Sequence, residues 1–491
     1  MKRVNKSFDV VVVGCGVAGL SAAVTAAQAG LSVAVLERTS KEERGGQSRW
    51  TEAYLRMRAI DKVTEDFETH LAENLGPYVD PVLIQEMTGD SKDWSYAAKT
   101  LALPEPTVIE SFSNNVAPTI GWLQSIGVKF DFLPTAFLTK TQPRLLPVGG
   151  GRAIVEALAA EAERLDVAFF YHTSARRLIQ DDLGKIVGLL ANSRGKGGIR
   201  FLGKVVLGSG GFEGNPEMLA KYLGPRSVYL RPICPGGYAN RGEGIEMALA
   251  TGAAPAGDFG SYHAEPIDPR SGISEPCMFI FPYGVLVNKE GMRFTDEAPD
   301  TVDACYERIT RKIYEQSEGI AYVILDQKVK AIPNYKLAIR TDQPPIEADT
   351  IESLAKKIGV ASSQLVKTLN QYNESCQNMD RYKPLELDGA NTEQLDPPKS
   401  NWALAIDEGP FIAYPIISAN VFTFGGLKIN ANGQVLSTDG EVIENLYAAG
   451  ETVGMYYTNY TGATSVLKGL VFGRLSSLHV VDQSATSKIS G

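Results

Sequence analysis

An α/β fold follows from three observations. Residues 8–13, FDVVVV, are a near-continuous β-branched run, which marks a strand buried on both faces of a parallel sheet. The run leads directly into Gly14-Cys15-Gly16-Val17-Ala18-Gly19 and an Ala-rich helical pattern from Leu20 to Ala29, with Gly30 as the stop signal. A second strand, Ser32 to Leu36, ends in the acid Glu37. Strand, glycine turn, helix, strand and terminal acid in this register make a Rossmann-like dinucleotide-binding unit.

Each element has a physical reason. Gly14 permits the tight strand-to-helix turn, Gly16 lets backbone approach a pyrophosphate without a Cβ in the way, and Gly19 lets the helix pack close to the sheet. The helix start, with Val17 and Ala18, offers N–H groups and the positive end of a dipole to phosphate. Glu37 stands where a ribose diol would donate to it. It would repel a phosphate on that ribose, an effect that Arg38 beside it weakens. Cys15, between two motif glycines, reads as a small spacer and not a redox thiol.

The 491 residues suggest two or three domains, and 44% hydrophobic with 21% charged residues is the balance of a globular protein. A net charge of -9 with no Lys/Arg run gives no electrostatic footprint for nucleic acid. Cys15, Cys234, Cys277, Cys305 and Cys376 are scattered and contain no CxxC pair. That pattern points to a reducing cytoplasm and away from zinc or iron–sulfur ligation. No metal site is expected. Lys2, Arg3 and Lys6 before the apolar run superficially mimic a signal peptide, but Gly14, Gly16 and Gly19 interrupt that run. No stretch reaches the roughly 18 apolar residues of a membrane span.

Three further segments extend the nucleotide motif. Glu43-Arg44-Gly45-Gly46-Gln47-Ser48-Arg49 has a Gly-Gly pair able to wrap a cofactor closely. Lys204 to Leu207 is strand-like and runs into Gly208-Ser209-Gly210-Gly211-Phe212. Asn445 to Glu451 brings a strand to an acid, and a glycine-bearing helix from about Gly462 to Val480 follows. Together these segments resemble the FAD-binding fold of the fumarate reductase/succinate dehydrogenase flavoprotein superfamily, over nearly the whole chain. YGVLVNKEGMRFTDEAPDTVDA (283–304) and YYTNYTGATSVLKGLVFGR (456–474) are most similar to tricarballylate dehydrogenase-like proteins. Tyr460-Thr461-Gly462-Ala463 resembles the Tyr-Pro-Gly-Ala turn of 3-ketosteroid Δ1-dehydrogenases, with Thr461 in place of proline.

The resemblance implies an FAD with Glu37 on its adenosine ribose and Gly45, Gly46, Gln47, Ser48 and Arg49 along its pyrophosphate and flavin. Gly150, Ala175, Ser209, Gly210, Glu243, Gly450 and Leu467 are further cofactor contacts, and Glu451 meets the ribityl chain. The helix start at Thr464 and Ser465 faces the flavin N1–C2=O edge, where the negative charge of a reduced flavin is stabilised by a helix N-terminus. Gln47 stands where succinate dehydrogenases carry the histidine that links flavin covalently, so the FAD is expected to be non-covalent.

Flavin segments at both ends require a discontinuous domain. The expected architecture is a Rossmann-like FAD-binding domain, 1–257 and 405–491, interrupted by an α+β capping domain, 258–404. Pro344-Pro345 and Pro397-Pro398 punctuate the insertion as loops. Amphipathic helices are expected over Asp303–Gln316 and Ile351–Asn373, and a mobile polar tail over Asp482–Gly491.

The implied reaction removes two hydrogens from adjacent carbons, one α to a carbonyl or carboxyl, with hydride passing to flavin N5. It needs a base and donors for an enolate-like oxygen. By analogy with the ketosteroid enzymes, Tyr460 polarises the carbonyl and the Thr464 N–H completes an oxyanion hole at the Gly462 turn, with Tyr457 or His263 handling the proton. Tyr262 and Arg293 complete the catalytic candidates. Tyr456, Asn459, Glu275 and Arg144 join Gly462 and Thr464 as substrate-binding candidates, with Arg231 a weaker one. His263 matches a substrate-binding histidine of fumarate reductases, whereas His70, His172 and His479 read as structural. The Thr-Arg-Asp of those enzymes is replaced here by Pro299-Asp300-Thr301-Val302-Asp303. Fewer cations suit a dicarboxylate poorly and a monocarboxylic oxo acid or a cyclic ketone better, which favours desaturation. The candidate substrates are a tricarballylate-like polycarboxylate, as the resemblance implies, or a cyclic oxo acid such as 4-oxocyclohexanecarboxylate. The alternatives are an enoate reductase, a ketosteroid dehydrogenase-like enzyme and a non-enzymatic electron-transfer subunit. With no second NAD(P) fingerprint, the expected electron acceptor is O2, a quinone or an electron-transfer protein.

Overall fold

The computed structural model describes residues 4–73, 81–87, 93–104, 106–132, 145–194 and 197–489. Its larger sheet lays the strands Gln434–Leu436, Val442–Ala448, Gly197–Leu207, Val4–Val13, Val33–Leu36 and Ala168–Phe170 side by side in that order. From Val442–Ala448 to Ala168–Phe170, neighbours run parallel. Thr173–Gln180 and Ile186–Ser193 form an antiparallel extension folding off Gly197–Leu207. The β-branched run occupies the middle of this sheet, with Val10, Val11 and Val12 fully buried. Helix Val17–Gln28 follows it and packs on the helices Gly150–Arg164 and Ser465–Ile489.

The glycine turn is shaped by contact between backbones. Gly14 has a φ of +102°, and a Cβ there would lie 2.3 Å from the Gly208 carbonyl oxygen. A Cβ on Gly19 would lie 2.0 Å from the Gly14 carbonyl oxygen. The first helix thus rests directly on the strand ends, as the motif requires.

The second sheet is organised by one long strand, Phe411–Thr423. Ile320–Leu325, Tyr262–Ile267 and Ile346–Ala348 pair antiparallel with it, Val285–Val287 pairs with Ile320–Leu325, and Arg231–Pro232 pairs parallel. Strand pairing therefore crosses the expected boundary at 404/405. Helix Val302–Glu315 lies within one residue of its expected place. The expected single helix over Ile351–Asn373 is two, Ile351–Ile358 and Ser362–Ser375, because Gly359 takes a left-handed φ of +74° and ends the first. The expected polar tail continues the last helix as far as Ile489. No described helix is long and apolar enough to cross a membrane.

Gly19→Ala is expected to destabilise the chain by about 1–3 kcal/mol, because its methyl group meets an immovable carbonyl. The midpoint of urea unfolding measures this, and an unchanged midpoint would refute the backbone-contact account.

Candidate active site

A cavity of about 610 Å³ opens at the carboxyl ends of the parallel strands, where ligands bind in open α/β sheets. Its wall includes the expected Gly14, Gly16, Val17, Ala18, Glu37, Arg38, Gly45, Gly46, Gln47, Ser48, Arg49, Ala175, Ser209, Gly210, Glu243, Gly450, Glu451 and Ser465. Three expected cofactor residues stand off it. Gly19 serves helix packing, Leu467 is fully buried in the core, and Gly150 begins the helix Gly150–Arg164.

One part of the wall suits an adenosine. Glu37 accepts the Cys15 N–H at 3.0 Å and the Thr39 N–H at 2.8 Å, which fixes its carboxylate at the end of the second strand. Arg38 pairs with Glu243 at 2.7 Å on the same wall. Between this end and the far end, Gly16 carries no side chain, and a Cβ there would meet Ser48 Oγ at 3.4 Å and the Gly45 carbonyl oxygen at 3.7 Å. The first helix has no cap from Gly16 itself, and Ser48 Oγ accepts the Val17 N–H at 3.3 Å. A glycine helix start with a hydroxyl beside it and a fixed carboxylate near fits the pyrophosphate and ribose of FAD.

At the far end, Gln47 donates from Nε2 to Glu213 Oε1 at 2.5 Å and to the Val421 carbonyl, and it accepts from Cys234 Sγ. Its amide thus orients a buried carboxyl group. Glu213, Asn240 and Lys468 were not among the sequence candidates. Asn240 and Lys468 line the cavity, and Glu213 bonds to two residues that do. Glu213 follows the Gly208–Phe212 segment directly and Lys468 follows Leu467, so proximity to the motifs was the available signal.

Tyr460 reaches the start of the last helix. Its hydroxyl accepts the N–H groups of Thr464 and Ser465, both at 3.1 Å, and donates to Ser465 Oγ. The expected donor pair is therefore adjacent, with the phenol oxygen itself accepting the Thr464 amide. Arg56 fixes the intervening turn by binding the carbonyls of Gly462 and Ala463. Tyr456 is fully buried beside it, with its hydroxyl 2.8 Å from Thr464 Oγ1.

His263 packs against Tyr460 with ring centroids 4.4 Å apart and planes tilted by 51°, and Phe422 of the cavity wall packs against both rings. Its Nε2 lies 3.2 Å from Tyr306 Oη and 3.5 Å from Glu265, and its Nδ1 3.5 Å from Glu307. Burial pulls the imidazole pKa down, but hydrogen bonding and charge from Glu265 and Glu307 outweigh it and push the value up to about 9. Glu275 lines the cavity with an unusual positive φ of 51°. Burial and then the charge of Glu265 push its carboxyl up to about 8, against the pull of Arg340.

The other candidates serve elsewhere. The Tyr457 hydroxyl is spent on two backbone groups, accepting the Gly257 N–H and donating to the Ala102 carbonyl, and burial raises its pKa. Tyr262, adjacent to His263 on a strand, bonds to Ser418 at 2.9 Å, and burial raises its pKa too. Asn459 is exposed. Arg293 is locked onto buried Glu297 at 2.7 Å and onto the carbonyls of Pro397 and Pro398, which makes it an anchor inside the insertion. Arg144 lies outside the described residues. Arg231 binds the carbonyls of Asp268 and Pro269.

This cradle and its aromatic far wall define a flavin-dependent oxidoreductase. A family model for the FAD binding domain matches residues 9–467, and the chain belongs to that family. It is an FAD-dependent oxidoreductase of the class that acts on CH–CH groups. Among curated relatives it is 28% identical to the NADH:acrylate oxidoreductase of Vibrio harveyi over 97% of this chain, which spans about half (50%) of that protein. It is 26% identical to the vinyl phenol reductase of Lactiplantibacillus plantarum over 99% of this chain and 98% of that protein. Two solved structures share the fold. The open form of a flavocytochrome c3 fumarate reductase has a TM-score of 0.72 at 22% identity, covering 98% of this chain and 79% of that one. The 3-ketosteroid-delta4-(5alpha)-dehydrogenase of Rhodococcus jostii RHA1 has a TM-score of 0.68 at 24% identity, covering 98% of both.

Glu37→Gln is expected to weaken FAD binding roughly tenfold to a hundredfold, the worth of a charge-assisted hydrogen bond. Titration of the cofactor-free protein with FAD, followed by flavin fluorescence, reads the change. An unaltered Kd would remove Glu37 from the cofactor site.

Proposed function

We propose that the chain is a dehydrogenase that introduces a C=C bond α,β to the carbonyl or carboxyl of a small oxo acid or carboxylic acid, of the kind of 4-oxocyclohexanecarboxylate or tricarballylate. The observation that carries this reading is the convergence of Tyr460 Oη with the Thr464 and Ser465 N–H groups at a helix start. Donors so grouped hold an oxygen on which negative charge grows, as it does when the neighbouring carbon loses a proton. FAD, when bound, supplies the hydride acceptor. The chain supplies the proton chemistry and the positioning.

A substrate oxygen replaces the phenol oxygen as acceptor of the two amides, which leaves the Tyr460 O–H as a third donor. The His263 imidazolium, packed against that ring, adds positive charge beside the developing oxyanion. Glu275 faces the cavity with a pKa of about 8 and takes the α-proton in its carboxylate form. Phe422 and the aromatic rings behind it keep water from this end. The electrons then leave to an external acceptor, O2, a quinone or an electron-transfer protein.

A second reading runs the same residues backwards, as reduction of an activated alkene. It is favoured by the carboxylates that raise the proton affinity of His263, and by the name of one curated relative, a vinyl phenol reductase. Anaerobic photometry separates the readings. Bleaching of the bound flavin by saturated oxo acids or polycarboxylates supports desaturation. Re-oxidation of the dye-reduced enzyme by enoates alone would sink it.

Desaturation should show a bell-shaped pH profile. Activity rises as Glu275 loses its proton through about pH 8 and falls as His263 loses its own through about pH 9. Glu275→Gln should abolish the rising limb and lower kcat by about 10²–10⁴. Tyr460→Phe should lower kcat by about 10²–10³, the cost of one oxyanion donor. Steady-state rates across pH for the three proteins check both, and unchanged rates in either variant would refute its assigned role.

A further inference from the structure

Beside the far wall lies a carboxyl pair that the reaction above leaves unused. Glu213 is buried and Glu451, on the cavity wall, is half-buried, and the Asn240 amide nitrogen is shared between their carboxyl groups. Glu213 Oε1 accepts Asn240 Nδ2 at 2.6 Å and Gln47 Nε2 at 2.5 Å. Its Oε2 accepts from no N–H or O–H among the described residues. Glu451 Oε1 accepts the Thr423 N–H at 2.8 Å, and its Oε2 takes Asn240 Nδ2 at 3.4 Å. Two carboxyl groups that share one amide donor, with one oxygen left without any donor, do not both ionise readily, so the pair retains a proton.

The surroundings hold this pair poised. Burial and then the charge of Glu451 drive Glu213 far above the usual carboxylate range, and burial raises Glu451 as well. From the last helix, Lys468 opposes this for Glu451. Its Nζ donates to the Val453 carbonyl at 2.9 Å, lies 4.5 Å over the Tyr456 ring and has a pKa brought down to about 7 by burial. From the opposite side, Cys234 faces the pair through Gln47 as a neutral thiol whose pKa burial raises. Glu451, Gln47, Asn240 and Lys468 all stand on the cavity wall.

We propose that the Glu213–Glu451 pair is a redox-linked proton acceptor. Two-electron, one-proton reduction of a bound FAD would add one negative charge to the cavity, and the pair would bind one further proton from solvent. The electrons come from an external reductant and reside on the cofactor. The single bond formed on the protein is an O–H bond on a carboxylate oxygen. New negative charge beside Glu451 raises the pair's proton affinity, and proton uptake stops two anions from sharing one pocket. Lys468, sensing the same charge, holds its own proton more firmly.

The test uses the FAD-loaded protein at equilibrium with a two-electron dye of known potential across neutral pH. Each proton bound on reduction shifts the equilibrium constant tenfold per pH unit, 29.6 mV for two electrons. The protein is expected to bind two protons per two electrons, a hundredfold shift per pH unit. Glu213→Gln, whose amide donates to Glu451 and keeps it ionised, should bind one, a tenfold shift. The reduced-minus-oxidised infrared spectrum of the unaltered protein should show a carboxylic-acid C=O band that gains intensity and moves in D2O. Equal proton counts in the two proteins, or an infrared spectrum without that band, would overturn the proposal. The infrared measurement needs no substitution, so a variant that misfolds leaves it intact. The dye carries the electrons, so the result is independent of which substrate the enzyme uses.

Discussion

Backbone resting on backbone at Gly14, Gly19 and Gly208 is the constraint on which the site depends. A side chain at any of these positions would drive a Cβ to within 2.0–2.8 Å of another backbone atom. Their bareness seats the first helix on the ends of two parallel strands. The same logic continues outward. A Cβ on Gly473 would lie 2.2 Å from the Ala18 carbonyl oxygen, so the last helix is seated on the first. The position of its start, with Ser465 on the cavity wall and Tyr460 bonded to its amides, is therefore set by glycines distant in sequence.

This hierarchy explains what could be read from the sequence. The nucleotide unit was legible because its logic is local: a β-branched run, glycines at short spacing and a terminal acid each act on their neighbours. The helix break at Gly359 was carried by one residue inside a strong amphipathic pattern, and the pattern concealed it. The Glu213 cluster was not legible because it arises between segments far apart, with Gln47 and Glu213 separated by 166 residues. Residue type also misled where direction decides. Tyr262 and His263 are adjacent, yet one bonds to Ser418 and the other packs against Tyr460, because successive strand side chains point to opposite faces. Tyr457 resembled a proton carrier until its hydroxyl was seen bound at both ends to backbone.

The environment sorts the remaining ionisable groups into opposed roles. Burial alone would keep His263 neutral, but two carboxylates hold it as a cation. The same burial with Glu265 nearby keeps Glu275 protonated well into the neutral range. Glu265 therefore acts on both sides: it raises the affinity of His263 for its proton and does the same for Glu275. Two groups that differ this way, one a persistent cation and one a carboxyl poised near neutrality, have the complementary character that the proposed acid and base roles require.

The strand Phe411–Thr423 joins these functions mechanically. Its first half pairs with Ile320–Leu325 inside the insertion, and its second half carries Val421 and Phe422 to the cavity and Thr423 to Glu451. Val421 accepts from Gln47, Phe422 packs on His263 and Tyr460, and Thr423 donates to Glu451. Three consecutive residues thus touch the carboxyl pair and the candidate oxyanion site. A division of the chain at residue 404 places this strand wholly with the nucleotide-binding part, whereas most of its strand partners belong to the insertion and only Arg231–Pro232 comes from the other side.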